Sequence, residues 1–136
     1  MTSSISAICA AFHREDVEHM LECAREEALS HDLEITSVTW VAGTLEIPLM
    51  VDRELEKEGT AGAICLGVIE KGETDHGLVI GQAVMKTLVE LQLIHDKPIG
   101  VGIIGPGAEV HHLGPRLEPH ARNAVRALLT FFDGES

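Results

Sequence analysis

The feature that most constrains the fold is an uninterrupted apolar run at residues 63–69, which is followed at once by a strongly polar stretch. A strand with one face in solvent alternates apolar and polar residues, whereas a strand that is apolar throughout is typically buried on both faces. Sheets covered on both faces are usually parallel, because the crossover helices that join parallel strands pack onto those faces. The run therefore predicts the central strand of an α/β protein.

The rest of the chain repeats this alternation of strand and helix patterns. Short β-compatible segments lie at residues 5–11, 33–41, 63–69 and 98–104. Helical periodicity and end signals predict helices from an N-cap at Asp16 to about Ser30, from Thr44 to Gly59, over residues 76–95 and over residues 122–132. A chain of 136 residues is the size of one domain. We predict a single domain over residues 1–136, a three-layer α/β/α sandwich around a four-stranded, mostly parallel sheet.

The charge balance restricts the partners of the chain. Asp and Glu total 22 against 10 for Lys and Arg, a formal net charge of −12, and such a surface repels both nucleic acid and anionic membranes. No window reaches the roughly 18 uninterrupted apolar residues that a membrane-spanning helix needs. The N-terminal segment lacks the basic region of a secretory signal. We therefore expect a cytoplasmic protein that binds neither nucleic acid nor membrane.

Cysteine and histidine spacing does not support a metal site. Cys9, Cys23 and Cys65 are far apart and odd in number, which predicts free, buried or half-buried thiols and no zinc site or disulfide framework. We expect the other scattered histidines in solvent: His19, His31, His95, His111, His112 and His120. A formal GxGxxG pattern at residues 100–105 lies inside a predicted strand, and no helix can begin promptly after it. We predict no metal and no dinucleotide cofactor.

The polar loop after the buried strand is the first candidate for chemistry, because ligands of parallel α/β sheets bind beyond the carboxyl ends of the strands. The amides at the start of the following helix and the Thr74 hydroxyl could hold a phosphate, and His76 beside them could relay protons. Alternatively, Thr74 only caps the helix and His76 is a surface residue of its first turn. Glu73 disfavours a phosphate unless its side chain points away or meets a cation.

A second candidate is the strand-to-helix turn at residues 40–48, WVAGTLEIP. It combines the flexible Gly43 with the carboxylate of Glu46, which could accept hydrogen bonds from the N–H groups of a heterocycle. Equally, that carboxylate could serve only to stabilise the first turn of a helix. Phe12, at the end of the first strand, could stack on a flat ring or belong to the core.

Taken in order, these segments resemble the 6,7-dimethyl-8-ribityllumazine synthase family, from about residue 5 to residue 131. Phe12 follows the first strand as the family's ring-stacking Phe does. WVAGTLEIP is similar to the family's WVPGAFEIP, and ICLGVIEKGETDH at residues 64–76 resembles its ICLGxVIxGxTxH. The GETDH variant and the GPG segment at residues 105–107 are most similar to the archaeal branch of the family.

The resemblance implies a flavodoxin-like fold and a transferase of riboflavin biosynthesis that needs no cofactor. Its two small-molecule substrates would be 5-amino-6-(D-ribitylamino)uracil and 3,4-dihydroxy-2-butanone 4-phosphate, and His76 would transfer protons between them. Residues implied around the aminouracil are Phe12, Thr44, Leu45, Glu46, Val68, Ile69, Glu70 and Val101. Residues implied at the sugar phosphate are Glu73, Thr74 and Arg116, with Arg122 as the fallback for Arg116.

The resemblance also implies a homo-oligomer, since family members form pentamers and in some cases decamers or sixty-subunit shells. Phe12 and Arg116 would then reach one site from different subunits. The chain departs from the family pattern at Ala42, which replaces a Pro, at Leu45, which replaces an aromatic residue, and at Val101, which replaces a Phe. Two alternatives stay open: an idle flavin-binding or shell-forming protein on the same scaffold, and an archaeal-type riboflavin synthase, a family that lacks the GxTxH loop.

Overall fold

Strands and helices alternate along the chain in the computed structural model, which describes residues 2–70, 75–108 and 110–132. The strands are β1 (Ser3–Ala10), β2 (Leu33–Val41), β3 (Gly62–Glu70) and β4 (Ile99–Ala108). The helices are α1 (Arg14–Leu29), α2 (Ile47–Leu55), α3 (His76–His95), α4 (Val110–Arg126) and α5 (Leu129–Phe132), and a 3-10 turn (Thr44–Glu46) precedes α2. The bounds predicted for β2 and α3 are confirmed.

The four strands form one sheet in the order β2-β1-β3-β4, and every neighbouring pair is parallel. β3 lies between β1 and β4, and its residues 62–69 are all buried, as the apolar run predicts. The core clusters place α1 and α4 on one face of the sheet and α2 and α3 on the other. The predicted three-layer α/β/α architecture is therefore confirmed.

Alternate residues of β1 supply the two halves of the core. Ile5, Ala7 and Cys9 belong to the cluster formed with α1 and α4, whereas Ile8 and Ala10 belong to the cluster formed with α2 and α3. A strand covered on both faces must be largely apolar at consecutive positions, because a polar side chain buried without a partner costs free energy. This arrangement leaves polar functional groups to the ends of the strands.

Two glycines of the GxGxxG pattern allow α4 to approach β4 closely. A Cβ atom on Gly100 would overlap the carbonyl oxygen of Ala124, and a Cβ atom on Gly102 would lie 3.1 Å from the carbonyl oxygen of His120. Any side chain at these positions would therefore push the helix away from the sheet. Helix packing explains both glycines without a dinucleotide.

The largest difference from the sequence-based prediction is α4, which begins at Val110 and not at Arg122. Pro115 and Pro119 lie inside it, and interior prolines remove a backbone hydrogen bond and disfavour a helix. The apolar face at four-residue spacing is nevertheless buried against the sheet and α1, and its members are Leu113, Leu117 and Ala121. Burial of this face offsets the prolines. β4 is also longer than predicted and runs through residues 105–107.

The starts of α1 and α2 also differ from the prediction. α1 begins at Arg14, and its N-cap is His13 with φ 60° and ψ 49°. Asp16, the predicted N-cap, lies in the first turn of α1, where a carboxylate is favoured by the helix dipole. Thr44 starts the 3-10 turn and does not cap an α-helix.

Helix α3 has apolar residues on two sides. The buried side of the helix consists of Gly81, Val84, Leu88 and Leu91. A second stripe is exposed and consists of Leu78, Met85, Val89 and Leu93. Among the described residues, α3 is the one helix long and apolar enough to cross a membrane by length and composition. A core helix of a globular protein meets the same criteria, and α3 packs one face on the sheet.

Candidate active site

One pocket opens at the carboxyl ends of β1, β2 and β3, with a volume of about 590 Å³. The chain leaves β1 and β3 toward opposite edges of the sheet, and this switch point is where ligands bind in sheets of this kind. Its volume lies in the range of small-molecule sites. The lining residues are Phe12, Ala42, Gly43, Thr44, Leu45, Glu46, Val68, Ile69, Glu70, His76, Gly77 and Ile80.

Phe12 supplies an exposed aromatic ring at the pocket. It follows the end of β1, and 51% of its surface is exposed, although the core alternative would have buried it. Its ring lies 4.5 Å from the ring of His13, at an interplanar angle of 76°. This edge-on contact supports the ring from the side, and the exposed surface is available to stack on a planar ligand.

The turn after β2 is closed by its own carboxylate. The backbone N–H of Gly43 donates a 2.8 Å hydrogen bond to Oε1 of Glu46, and the Thr44 side chain is buried beneath the turn. A Cβ atom on Gly43 would lie 3.3 Å from the same Oε1 atom, which is why a glycine suits this position. Glu46 therefore stabilises the first turn and also lines the pocket. Its hydrogen bonding to a heterocycle stays a prediction.

The end of β3 and the start of α3 form the opposite wall. Val68 and Ile69 are buried, Glu70 is half-buried, and His76 is exposed as the first residue of α3. Gly77 allows α3 to pass close to β3, since a Cβ atom there would lie 3.1 Å from Cγ2 of Ile69. The pocket thus combines an aromatic face, two carboxylates and an imidazole on apolar walls.

Comparison with known proteins agrees with this arrangement. Residues 3–133 match the family model of 6,7-dimethyl-8-ribityllumazine synthase. The chain belongs to the lumazine synthase family. A synthase of this name from Methanobrevibacter smithii is 36% identical over 135 residues, which cover 96% of this chain and 94% of the relative.

Two further relatives of the same name have similar identity. The protein of Staphylothermus marinus is 36% identical over 91% of this chain and 83% of its own length. The protein of Methanothermobacter thermautotrophicus is 37% identical over 94% and 91%. All three organisms are archaea, in agreement with the predicted archaeal branch of the lumazine synthase family.

The structure brings together most of the residues that the resemblance to lumazine synthases implies. Of the eight residues implied around the aminouracil, the pocket lining omits only Val101, which is half-buried on β4 and packs against the core formed with α2 and α3. Arg116 does not line the pocket either and is exposed on α4, on the other side of the sheet. Glu73 and Thr74 lie outside the described residues.

Arg122, the fallback for Arg116, forms ion pairs within the chain. Its guanidinium forms ion pairs with Glu26 at 2.8 Å, with Glu27 at 3.2 Å and with Glu118 at 2.7 Å. Hydrogen bonds to Glu26 and Glu118 raise the pKa of Arg122 above its ordinary value. This side chain joins α1 to α4, so it does not fit the proposed phosphate-binding role.

The cysteines are buried and free, as predicted. Burial raises the pKa of the Cys9 thiol to about 12 and raises the pKa of Cys65 still further. The nucleophilic thiolate form is therefore not populated near neutral pH, and these residues fill the core.

The expectation that His95 lies in solvent is wrong. Its side chain is only 7% exposed; its Nε2 lies 2.8 Å from Oδ1 of Asp52, and its Nδ1 lies 3.8 Å from Oε1 of Glu56. These three groups are close enough to be considered as metal ligands. The two carboxylates, however, approach different ring nitrogens. These contacts therefore link the C-terminal half of α2 and the residue after it to the end of α3.

His13 is the pocket-adjacent residue that sequence reasoning missed. Its Nε2 lies 3.7 Å from Oε1 of Glu70, and its Nδ1 lies 3.8 Å from Oδ2 of Asp16. The available signal was its position directly after Phe12, at the carboxyl end of a buried strand. The polar stretch that begins at His13 by itself indicates only a loop before a helix.

Proposed function

We propose that the protein condenses 5-amino-6-(D-ribitylamino)uracil with 3,4-dihydroxy-2-butanone 4-phosphate to form 6,7-dimethyl-8-ribityllumazine, a step of riboflavin biosynthesis. The observation that carries the proposal is the pocket itself. Three segments that are distant in sequence, represented by Phe12, the Gly43–Glu46 turn and the β3 end with His76, converge on one cavity. Family membership supports the same reaction.

The aminouracil fits the described part of the pocket. The exposed Phe12 ring offers a stacking surface, and Glu46 and Glu70 offer carboxylate oxygens to N–H or hydroxyl donors. Thr44, Leu45, Val68 and Ile69 form the walls around the ring. Apolar walls with a few polar groups are typical of sites that orient a small heterocycle.

We assign the sugar phosphate to Glu73, Thr74 and Arg116 by resemblance to the family. Amides at the start of α3 would receive the phosphate, and Glu73 would face outward. Arg116 lies on α4, across the sheet from α2 and α3, so in this proposal it reaches the site of a neighbouring subunit. We keep Val101 near the aminouracil ring by resemblance alone, because it occupies the position of a family Phe that covers the ring.

The reaction needs little chemistry from the protein. The 5-amino group of the uracil attacks the ketone carbon, and loss of water gives an imine; phosphate is then eliminated. Elimination leaves an enol at C3, which tautomerises to a new ketone with a terminal methyl group. The ribityl-bearing nitrogen attacks that ketone carbon, and a second water leaves as the ring closes. His76, which lines the pocket, would donate and accept protons in these steps. The other residues hold the substrates in reacting geometry.

We further propose a cytoplasmic homo-oligomer based on pentamers, extended to decamers or sixty-subunit shells. The exposed apolar stripe of α3, namely Leu78, Met85, Val89 and Leu93, supports an interface with copies of the chain, since apolar patches of this kind mark interaction sites. A net charge of −12 per chain would make assembly depend on salt. Light scattering at low and molar salt tests this, and an unchanged oligomer would contradict it.

The deciding experiment mixes purified protein with both substrates at low and high salt and follows lumazine fluorescence. Formation faster than in the protein-free control supports the synthase. Riboflavin formed from lumazine alone would instead favour the riboflavin synthase alternative. Tight lumazine binding without turnover at any salt concentration would favour an idle binding or shell protein.

A further inference from the structure

His13 has a backbone conformation that most side chains avoid. Its φ of 60° and ψ of 49° lie in the left-handed region, which non-glycine residues rarely occupy, although His is among the more tolerated. The residue is the N-cap of α1, yet its side chain makes no cap hydrogen bond. Ser, Thr, Asp or Asn would stabilise a helix N-terminus at this position. Local helix stability therefore does not explain a histidine here.

The His13 ring is directed instead at the pocket lining. Its side chain is 25% exposed, but its Nε2 atom is buried and, among the described residues, has no hydrogen-bond partner. The nearest carboxylate oxygen on that side is Oε1 of Glu70, at 3.7 Å. A buried ring nitrogen without a partner is costly, and such groups in native proteins call for an explanation.

The same ring touches two pocket residues at once. Its edge-on contact with Phe12 holds the aromatic face, while Nε2 faces Glu70. On the side of Nδ1, Oδ2 of Asp16 lies 3.8 Å away, so a carboxylate oxygen lies near each ring nitrogen. A shortening of less than 1 Å would bring Nε2–H within hydrogen-bond distance of Glu70.

We propose that His13 is a positioning residue for the aminouracil, an inference that rests on the proposed function. When the ligand enters, its donor group binds one oxygen of Glu70, and Nε2–H of His13 binds the other. The histidine thereby fixes the orientation of the carboxylate and of the Phe12 ring together. Neither Glu70 nor Phe12 is assigned to the phosphate. His13 therefore acts on the affinity for the heterocycle and not on the affinity for the butanone phosphate.

The test compares His13→Asn, Glu70→Gln and the double variant with the unmodified protein. Asn tolerates the left-handed backbone and can cap α1, so the fold should persist; thermal unfolding checks this. We expect His13→Asn to raise the KM for the aminouracil about tenfold, with the KM for the butanone phosphate changed less than twofold. The Kd of 6,7-dimethyl-8-ribityllumazine, measured by fluorescence, should rise by the same factor.

Coupling between the two residues is the decisive readout. If His13 acts through Glu70, the double variant binds the lumazine about as weakly as either single variant, whereas independent roles would multiply the two losses. His31→Asn is the matched control, because it removes a His–Glu contact of 2.8 Å on α1 away from the pocket and should leave both KM values unchanged. Multiplicative losses, or equal changes in both KM values, would overturn the proposal.

The binding readout separates this proposal from the proposed function. Lumazine that binds to the unmodified protein but is not produced by it would refute the synthase activity, and the coupling measured by Kd would still decide the role of His13. An unmodified protein that neither forms nor binds the lumazine would overturn both.

Discussion

Two histidine–glutamate pairs of this chain differ in geometry and in surroundings. On the α1–α4 side, Nε2 of His31 lies 2.8 Å from Glu27, and the same carboxylate also accepts hydrogen bonds from Arg122 and Arg126. At the pocket, Nε2 of His13 lies 3.7 Å from Oε1 of Glu70, which is beyond hydrogen-bond distance.

The two regions therefore have different roles. The Glu27 carboxylate is only 8% exposed, but its oxygens are occupied, so the cluster contributes to stability and has no bonding capacity left for a ligand. The pocket keeps an exposed aromatic ring and an incompletely bonded histidine–carboxylate pair. Groups left unsatisfied in this way are what a polar ligand can complete.

The largest effect that separates the two regions should come from His76→Ala. Loss of a general acid–base group typically slows the reaction by about a hundredfold or more, and we expect such a fall in kcat. His31→Ala should leave kcat unchanged. Steady-state lumazine formation measures both variants, and unfolding curves should show that His76→Ala keeps the fold. Equal rates for His76→Ala and the unmodified protein would refute the proton-transfer role.

Glu27→Gln should lower the stability of the fold and leave kcat unchanged. Removal of the charge leaves Arg122 and Arg126 without their shared partner, and we expect a loss of about 2 kcal/mol in the free energy of unfolding. The matched control is Glu18→Gln on the same helix, whose exposed pair with Arg14 at 3.5 Å contributes at most about 0.5 kcal/mol. Urea titration measures both. Similar losses in the two variants would show that the Glu27 cluster contributes no more to stability than an exposed ion pair does.

The pH dependence sharpens this prediction. The hydrogen bond from Arg126 lowers the pKa of Glu27 from 4.5 to about 2. Because the pKa of this carboxyl is lower in the folded protein than in the unfolded chain, the ionised form stabilises the fold at pH values above the unfolded-state pKa. That stability is lost as the pH falls from about 4.5 toward 2. The difference in unfolding free energy between the unmodified protein and Glu27→Gln should therefore shrink over this interval. A constant difference down to the lowest pH at which the protein stays folded would contradict it.

Phe12→Ala should give the smallest of these effects. Loss of the stacking surface removes about 1 kcal/mol of ligand binding, which would raise the Kd of 6,7-dimethyl-8-ribityllumazine about fivefold. Because the ring is half exposed, the free energy of unfolding should change by less than about 0.5 kcal/mol. Phe131→Ala removes an exposed phenylalanine at α5 and serves as the control. Equal Kd values for the two variants would remove Phe12 from the site.

The ends of β2 and α3 could be predicted from the sequence, whereas the start of α4 could not. β2 and α3 have the predicted ends, because local signals bound them: Gly43 follows β2, and a polar stretch and Pro98 flank α3. In α4, Pro115 and Pro119 argue locally for a break, and only the burial of Leu113, Leu117 and Ala121 against α1 and the sheet outweighs them. A local propensity cannot anticipate such a tertiary contribution.

The candidate site shows the same division. Of the eight residues that the motifs imply around the aminouracil, seven line the pocket, because most of these motifs lie at the ends of strands. Val101 and Arg116 do not line the pocket, and no motif indicates His13, because its contact is with Glu70 at the end of the neighbouring strand.

By itself the sequence determined the α/β class, the parallel sheet, the family and the segments that line the pocket. Those properties follow from apolar periodicity and from short motifs, which are local. Only the tertiary structure decided that His13 meets Glu70 and that Arg122 and Arg126 meet Glu27. His31 and Glu27 lie one helical turn apart, so their 2.8 Å contact is local. His13 and Glu70 are distant in sequence, and the tertiary structure brings their atoms to 3.7 Å. Such distances are set by the packing of whole helices and strands, which no local pattern encodes.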